Sequence, residues 1–202
     1  MNKYTILIDA GHGKDTPGKC SPDGKLYEWE WTRKCASKLE ILLKDKGFNV
    51  ERVYPEVYED FKSGKYISNR VNKVNKYCMS HPNEDIILVS IHINAAGSDS
   101  KWHSASGFSV FVGPYSSSKS KKLARCIYTE ADKTGLKGNR SVPACKYWTG
   151  NFGVLTRTAC PAVLTENLFM DNQSDVEILK PDSGLDKLVK AHLDGIISYF
   201  NG

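Results

Sequence analysis

The chain has 202 residues, 40% of them hydrophobic and 25% charged, with a formal net charge of +5. This length suits one core, so we expect a single domain over residues 1–202 without a separate binding module. The basic residues are dispersed and form no recognised motif, which argues against a nucleic-acid partner. No stretch is long and apolar enough to be an integral membrane segment.

Predicted strands and helices alternate along the chain. In order, the sequence predicts a strand ending at Ala10, a helix over 28–46, a strand over 48–53, a helix over 65–79, strands over 85–92 and 107–112, a helix capped by residues 116–118, a strand before Glu166 and a final helix over 185–200. This order predicts an α/β fold: a mixed, mostly parallel twisted sheet with helices on both faces.

Two histidines each follow an apolar run, in Ile-Leu-Ile-Asp-Ala-Gly-His12-Gly and in Ile-Leu-Val-Ser-Ile-His92-Ile-Asn. Ligands of open α/β sheets bind at the carboxyl ends of the strands, so two imidazoles delivered there can share a metal ion. A third ligand would complete a catalytic zinc site with one open position. A single histidine is more often structural, and we expect this of His81 and His192, while His103 stays open.

Helical spacing selects the third candidate ligand. Glu28, Cys35, Leu39 and Leu42 fall on one stripe, whereas Glu30 falls among lysines on the opposite face. Glu28 is therefore expected to point inward and Glu30 to be solvated. A buried carboxylate is costly unless a positive group meets it, and a metal ion would supply that charge.

A further carboxylate, Glu166, ends the apolar segment Cys-Pro-Ala-Val-Leu-Thr. Beside zinc, such a glutamate can take a proton from water and pass it to a leaving amine. Without the histidines, a surface glutamate in a turn would be the expected interpretation. Two roles stay open for Asp9: it orients a ligand imidazole, or it is a structural aspartate.

Together these segments resemble the zinc-dependent N-acetylmuramoyl-L-alanine amidases, which cut the bond between the sugar and the peptide of peptidoglycan. The segments around His12, Glu28 and His92, and a fourth over 152–172, occur in the family's order and span nearly the whole chain. The resemblance implies peptidoglycan as substrate, one zinc ion held by His12, Glu28 and His92, and Glu166 as the catalytic carboxylate.

Two departures from the family pattern concern substrate fit rather than ligands. Lys14 follows Gly-His-Gly where a second glycine is common, and Asn167 follows Glu166 where a small residue is common. Two other functions stay open: a peptidoglycan-binding module without turnover, and a different zinc amidohydrolase such as a sugar deacetylase.

The six cysteines have neither zinc-finger spacing nor the density of a disulfide scaffold, so we expect free thiols in a monomer. Met1 to Thr5 enter the first predicted strand without the apolar core of a secretory signal. A wall-cutting enzyme would then be released from the cytoplasm to the cell wall, as phage lysis enzymes are, or use an export signal outside this sequence.

Overall fold

The computed structural model describes residues 4–201. The helices and strands are, in chain order, β1 (Tyr4–Ala10), α1 (Glu28–Asp45), β2 (Asn49–Arg52), α2 (Tyr66–Ser80), β3 (Asp85–Asn94), β4 (Ser109–Val112), α3 (Ser118–Lys133), β5 (Trp148–Thr149), α4 (Gly153–Thr156), β6 (Ala162–Phe169), α5 (Gln173–Leu179) and α6 (Asp182–Asn201). The expectation about a secretory signal concerns Met1 to Thr5 and so lies largely outside the described residues. No helix within 4–201 combines the length and apolar character that crossing a membrane requires.

Within residues 4–201 the sheet has six strands in the order β2-β1-β3-β6-β4-β5. All neighbouring pairs are parallel except β4 and β6, which run antiparallel. This confirms the predicted class. Successive residues of β1 point to opposite faces. Ile6 and Ile8 belong to the core cluster that includes residues of α1, α3 and α6, whereas Leu7 belongs to the cluster that includes residues of α2 and α4.

Helix α1 buries the predicted face with one correction. Glu28, Cys35 and Leu39 are buried as expected, but Leu42 is 39% exposed, while Leu43 has no exposed surface. The prediction for Leu42 is wrong because the buried row continues by four residues from Leu39 rather than by three, and both spacings lie near one helical turn.

His192 lies in the core between α6 and β6, with no exposed surface. Its Nδ1 lies 2.8 Å from the carbonyl oxygen of Leu188, and its Nε2 lies 2.9 Å from the hydroxyl of Thr165. A neutral imidazole satisfies both contacts, because one ring nitrogen donates to the carbonyl and the other accepts from the hydroxyl. His192 thus links helix α6 to Thr165, the residue before Glu166 on β6.

The parallel ladder between β3 and β6 fixes the end of the sheet where the predicted site residues lie. His92 is paired directly with Glu166, and the register then shifts so that Asn94 is opposite Phe169. Leu168 lies within this irregularity with a φ of 66°. The extra residue on β6 forms a β-bulge, which is common beside functional sites.

Candidate functional site

The first predicted ligand, His12, is placed by the turn after β1. Gly11 donates its backbone N–H to the carbonyl of Ile91 on β3 over 2.8 Å. A Cβ atom on Gly11 would lie 2.4 Å from Nδ1 of His92, so only glycine lets the chain pass this ring. His12 then has a left-handed φ of 56°. This conformation is unfavourable for a residue with a side chain and must be held by its surroundings.

Glu28 is the first residue of α1 and is 1% exposed. Its backbone N–H donates to the carbonyl of Lys19 over 3.0 Å, and its Oε1 accepts from the backbone N–H of Ile93 over 2.9 Å. Oε1 also lies 3.0 Å from Nδ1 of His92, and Oε2 lies 3.5 Å from Nε2 of His12. The start of the helix thus brings the carboxylate into contact with both imidazoles.

His12, Glu28 and His92 form a cluster that could hold a metal ion. One candidate ligand atom from each lies within 4.8 Å of the other two, and the two imidazole centroids are 5.0 Å apart. Imidazole nitrogen and carboxylate oxygen are donors that zinc accepts. Glu28 Oε2 is buried and has no hydrogen-bond partner within residues 4–201. An acceptor left without a donor suits a cation, so the residues present fit zinc.

Glu166 lies beside this cluster because β6 pairs with β3. It is half-buried, and its Oε2 has no hydrogen-bond partner in the described part of the chain. Burial raises the pKa of Glu166 to about 7, with His92 opposing the rise and Glu28 adding to it. A carboxyl group that titrates near neutral pH can both accept and donate a proton.

Burial and mutual charge shift the pKa values within the cluster. Burial lowers the pKa of His12 to about 3, against the attraction of Glu28. Burial disfavours the charged form of Glu28, but the two histidines outweigh it and lower the pKa of this carboxyl. Burial likewise disfavours charged His92, but Glu28 outweighs it and raises the pKa of that imidazole. A neutral His12 and an ionised Glu28 have the protonation states that metal binding needs.

A buried ionic network supports the turn that carries His12. Arg70 on α2 donates to the carbonyls of Ala10, over 2.6 Å, and His12, over 3.2 Å, and pairs with Asp9 and Glu59. Burial acts to raise the pKa of Asp9, but Arg70 outweighs it and holds this pKa below its usual value. Glu59 Oε1 lies 3.9 Å from Nδ1 of His12, so a carboxylate faces the second nitrogen of the candidate ligand.

Other residues considered from the sequence lie outside the cluster. Asp9 accepts hydrogen bonds from Arg70 and from the Ser90 hydroxyl, the latter over 2.7 Å, rather than contacting an imidazole. Glu30 is exposed, as expected. His103 Nε2 lies 2.8 Å from an oxygen of Asp99 in the loop after β3.

The cluster and Glu166 share a cavity of about 370 Å³. Its wall also includes Lys19, Tyr66, Arg70, Asn94 and Phe152, among others. Sequence reasoning did not place Lys19, Tyr66 or Arg70 here. A larger cavity of about 420 Å³ contains none of the candidate ligands, so we consider the smaller one the functional site.

The fold and the cluster define the class: an α/β domain with a candidate metal centre at the carboxyl ends of its parallel strands. Residues 6–198 match the N-acetylmuramoyl-L-alanine amidase family. The chain belongs to this family, as the resemblance noted from the sequence predicted.

Relatives and solved structures cover almost the whole chain. The sporulation-specific N-acetylmuramoyl-L-alanine amidase of Bacillus subtilis is 29% identical over 196 residues, which are 97% of this chain and 68% of that protein. The endolysin of Bacillus phage SPP1 is 27% identical over 199 residues, covering 97% of this chain and 66% of the phage protein. The crystal structure of N-acetylmuramoyl-L-alanine amidase from Clostridium difficile 630 has a TM-score of 0.81 at 25% identity, covering 100% of this chain and 99% of that one.

Proposed function

We propose that this chain hydrolyses the amide bond between the lactyl group of N-acetylmuramic acid and L-alanine in peptidoglycan, with one zinc ion as cofactor. Membership of the amidase family supports the reaction, and the similarity to a phage endolysin supports action at the cell wall after release from the producing cell. The observation that carries the proposal is the pairing of His92 with Glu166 beside the His-Glu-His cluster.

His12, Glu28 and His92 would hold the ion, since their candidate ligand atoms converge and Glu28 Oε2 lacks a donor. When bound by three side chains, zinc would polarise the substrate carbonyl and lower the pKa of water, so that water can lose a proton and attack near neutral pH. Ile93 fixes the carboxylate of Glu28 through its backbone N–H, and Glu59 faces the outer nitrogen of His12. These contacts orient the ligands before the ion arrives.

Glu166 is the proposed general base and acid. It takes a proton from the attacking water and then donates that proton to the departing alanine nitrogen, so the side chain ends the cycle as it began. A pKa of about 7 suits both steps, because the group is then neither a very weak base nor a very weak acid at neutral pH. The product peptide acquires a free amino terminus.

The test uses purified peptidoglycan and mass analysis of the products. Wild-type protein with zinc should release peptides that begin with a free L-alanine amine. Glu166→Gln should still bind one zinc ion per chain but lose about 10²- to 10⁴-fold in rate, the usual contribution of a general base or acid. His12→Ala should lose both metal and activity.

Glu177→Gln makes the same chemical change on the exposed surface of α5 and serves as the matched control. It should keep full activity. Release of acetate instead of new amino termini would identify a sugar deacetylase. Zinc binding without either product would identify a binding module, and loss of zinc from Glu166→Gln would contradict the division between ligands and base.

A further inference from the structure

A second cavity continues from the one that contains the candidate metal cluster. It has a volume of about 300 Å³, and Lys19, Ala95 and Gly97 line both cavities. Lys19 therefore stands at their junction. Tyr66 and Phe152 line only the first cavity. The combined groove has an aromatic part next to the cluster and a second part that begins at Lys19.

The backbone of Lys19 is fixed against the candidate site. Its carbonyl accepts the N–H of Glu28 over 3.0 Å, and its neighbour Cys20 forms an antiparallel bridge with Tyr27. The side chain is half-buried, and its charge opposes the rise in pKa that burial causes at Glu166. Lys19 thus lies within electrostatic reach of the proposed reaction while its main chain is held in place.

The cations of the groove differ in whether they are already paired. Arg70 is bound to two buried carboxylates. The ammonium groups of Lys19 and Lys101, which both line the second cavity, have no hydrogen-bond or ion-pair partner within residues 4–201. Asp171, the acidic residue of that lining, accepts from two backbone N–H groups through Oδ2, and its buried Oδ1 has no hydrogen-bond partner within residues 4–201. The second cavity therefore offers two ammonium groups without ion-pair partners against one carboxylate, a net positive charge.

We propose that Lys19, assisted by Lys101, binds the free carboxylate of the stem-peptide residue that follows L-alanine. This assignment rests on the proposed function. In such a substrate the carboxyl of the muramic acid is consumed in the amide and the sugars are neutral, whereas the peptide carries free carboxylates. Charge complementarity then orients the substrate, with the peptide toward the lysines and the glycan toward the rings of Tyr66 and Phe152.

Two synthetic substrates test this orientation: N-acetylmuramoyl-L-alanyl-γ-D-glutamate with its α-carboxylate free, and the same compound with that carboxylate amidated. For the free acid, Lys19→Met should lower kcat/KM about tenfold or more, because the substrate loses one hydrogen bond between charged groups. The amide should lose only the smaller part that comes from removing the Lys19 charge near Glu166, so the preference for the free acid over the amide should fall about tenfold, and Lys19→Arg should retain most of this preference. Lys25→Met, an exposed lysine of the same loop outside both cavities, is the matched control.

Titration with the product dipeptides provides a readout independent of turnover. The free acid should bind wild-type protein more tightly than its amide, and Lys19→Met should remove most of this difference, leaving the part due to Lys101, while zinc content stays unchanged. Equal losses of Lys19→Met toward both substrates, or equal binding of both dipeptides by the wild type, would overturn the assignment. If wild-type protein releases no free L-alanine amine from peptidoglycan, the proposed function is wrong, and the dipeptide titration still decides the role of Lys19.

Discussion

The buried imidazole of His192 should make the stability of the fold depend on pH. Burial lowers its pKa from 6.5 to about 4. Between these values the unfolded chain binds a proton that the folded chain does not, so stability falls as the pH drops from about 6.5 toward 4. Above pH 6.5 this group contributes no slope. At about 1.4 kcal/mol for each pH unit, the loss by about pH 4.5 is about 2 to 3 kcal/mol.

His192→Asn replaces the titrating ring by a neutral amide and should remove this slope. Urea unfolding followed by circular dichroism, in chelator so that metal binding does not contribute, gives the free energy of unfolding of both proteins between about pH 7 and 4.5. The variant is expected to be less stable at pH 7, with the difference shrinking by about 2 to 3 kcal/mol at the acid end. Parallel curves for wild type and His192→Asn would refute the reasoning.

Two further predictions concern other buried groups. Arg70→Met leaves the buried carboxylates of Asp9 and Glu59 without their ion-pair partner and should lower the free energy of unfolding by about 3 to 5 kcal/mol. Arg52→Met breaks partly exposed ion pairs and should lower it by at most about 1 kcal/mol. Equal losses for the two variants in urea titrations would contradict this expectation. The hydrogen bond from Cys160 lowers the pKa of the Cys78 thiol to about 7, while burial raises that of Cys35. Iodoacetamide should therefore alkylate Cys78 with a midpoint near pH 7 and leave Cys35 unmodified in the folded protein, and peptide mass mapping that finds both equally labelled would exclude this account.

The sequence could predict that the candidate site residues lie close together, because buried parallel strands carry a strong sequence signal. Continuous apolar runs identify β1, β3 and β6, and the polar residue after each run marks the same edge of the sheet. This signal predicts the position of His12, His92 and Glu166, and the helical period of α1 predicts that Glu28 points inward. The ligand and catalytic roles of these residues came from the resemblance to the amidase family. The antiparallel pairing of β4 with β6 carries no such signal, because the short run over 109–112 fits either direction.

The network that supports His12 could not be predicted for a different reason. Arg70 lies on α2 among polar residues and reads as part of a solvated face, and Glu59 lies in a loop without periodicity. Their partner Asp9 is far away in the sequence. Pairings of this kind are set by the packing of α2 over the end of β1, which a local pattern does not encode. The same holds for Lys19, whose place beside the cavity depends on a loop.

The order of the strands along the chain also determines the point of translation at which all candidate site residues are present. The cluster of His12, Glu28 and His92 is encoded before β4, yet Glu166 arrives on β6, which takes a central place between β3 and β4. Under the proposed function, a nascent chain that stops before this strand lacks the general base and acid beside its imidazoles. Hydrolysis would then depend on translation of the C-terminal part of the chain, and a fragment that ends before β6 should be inactive.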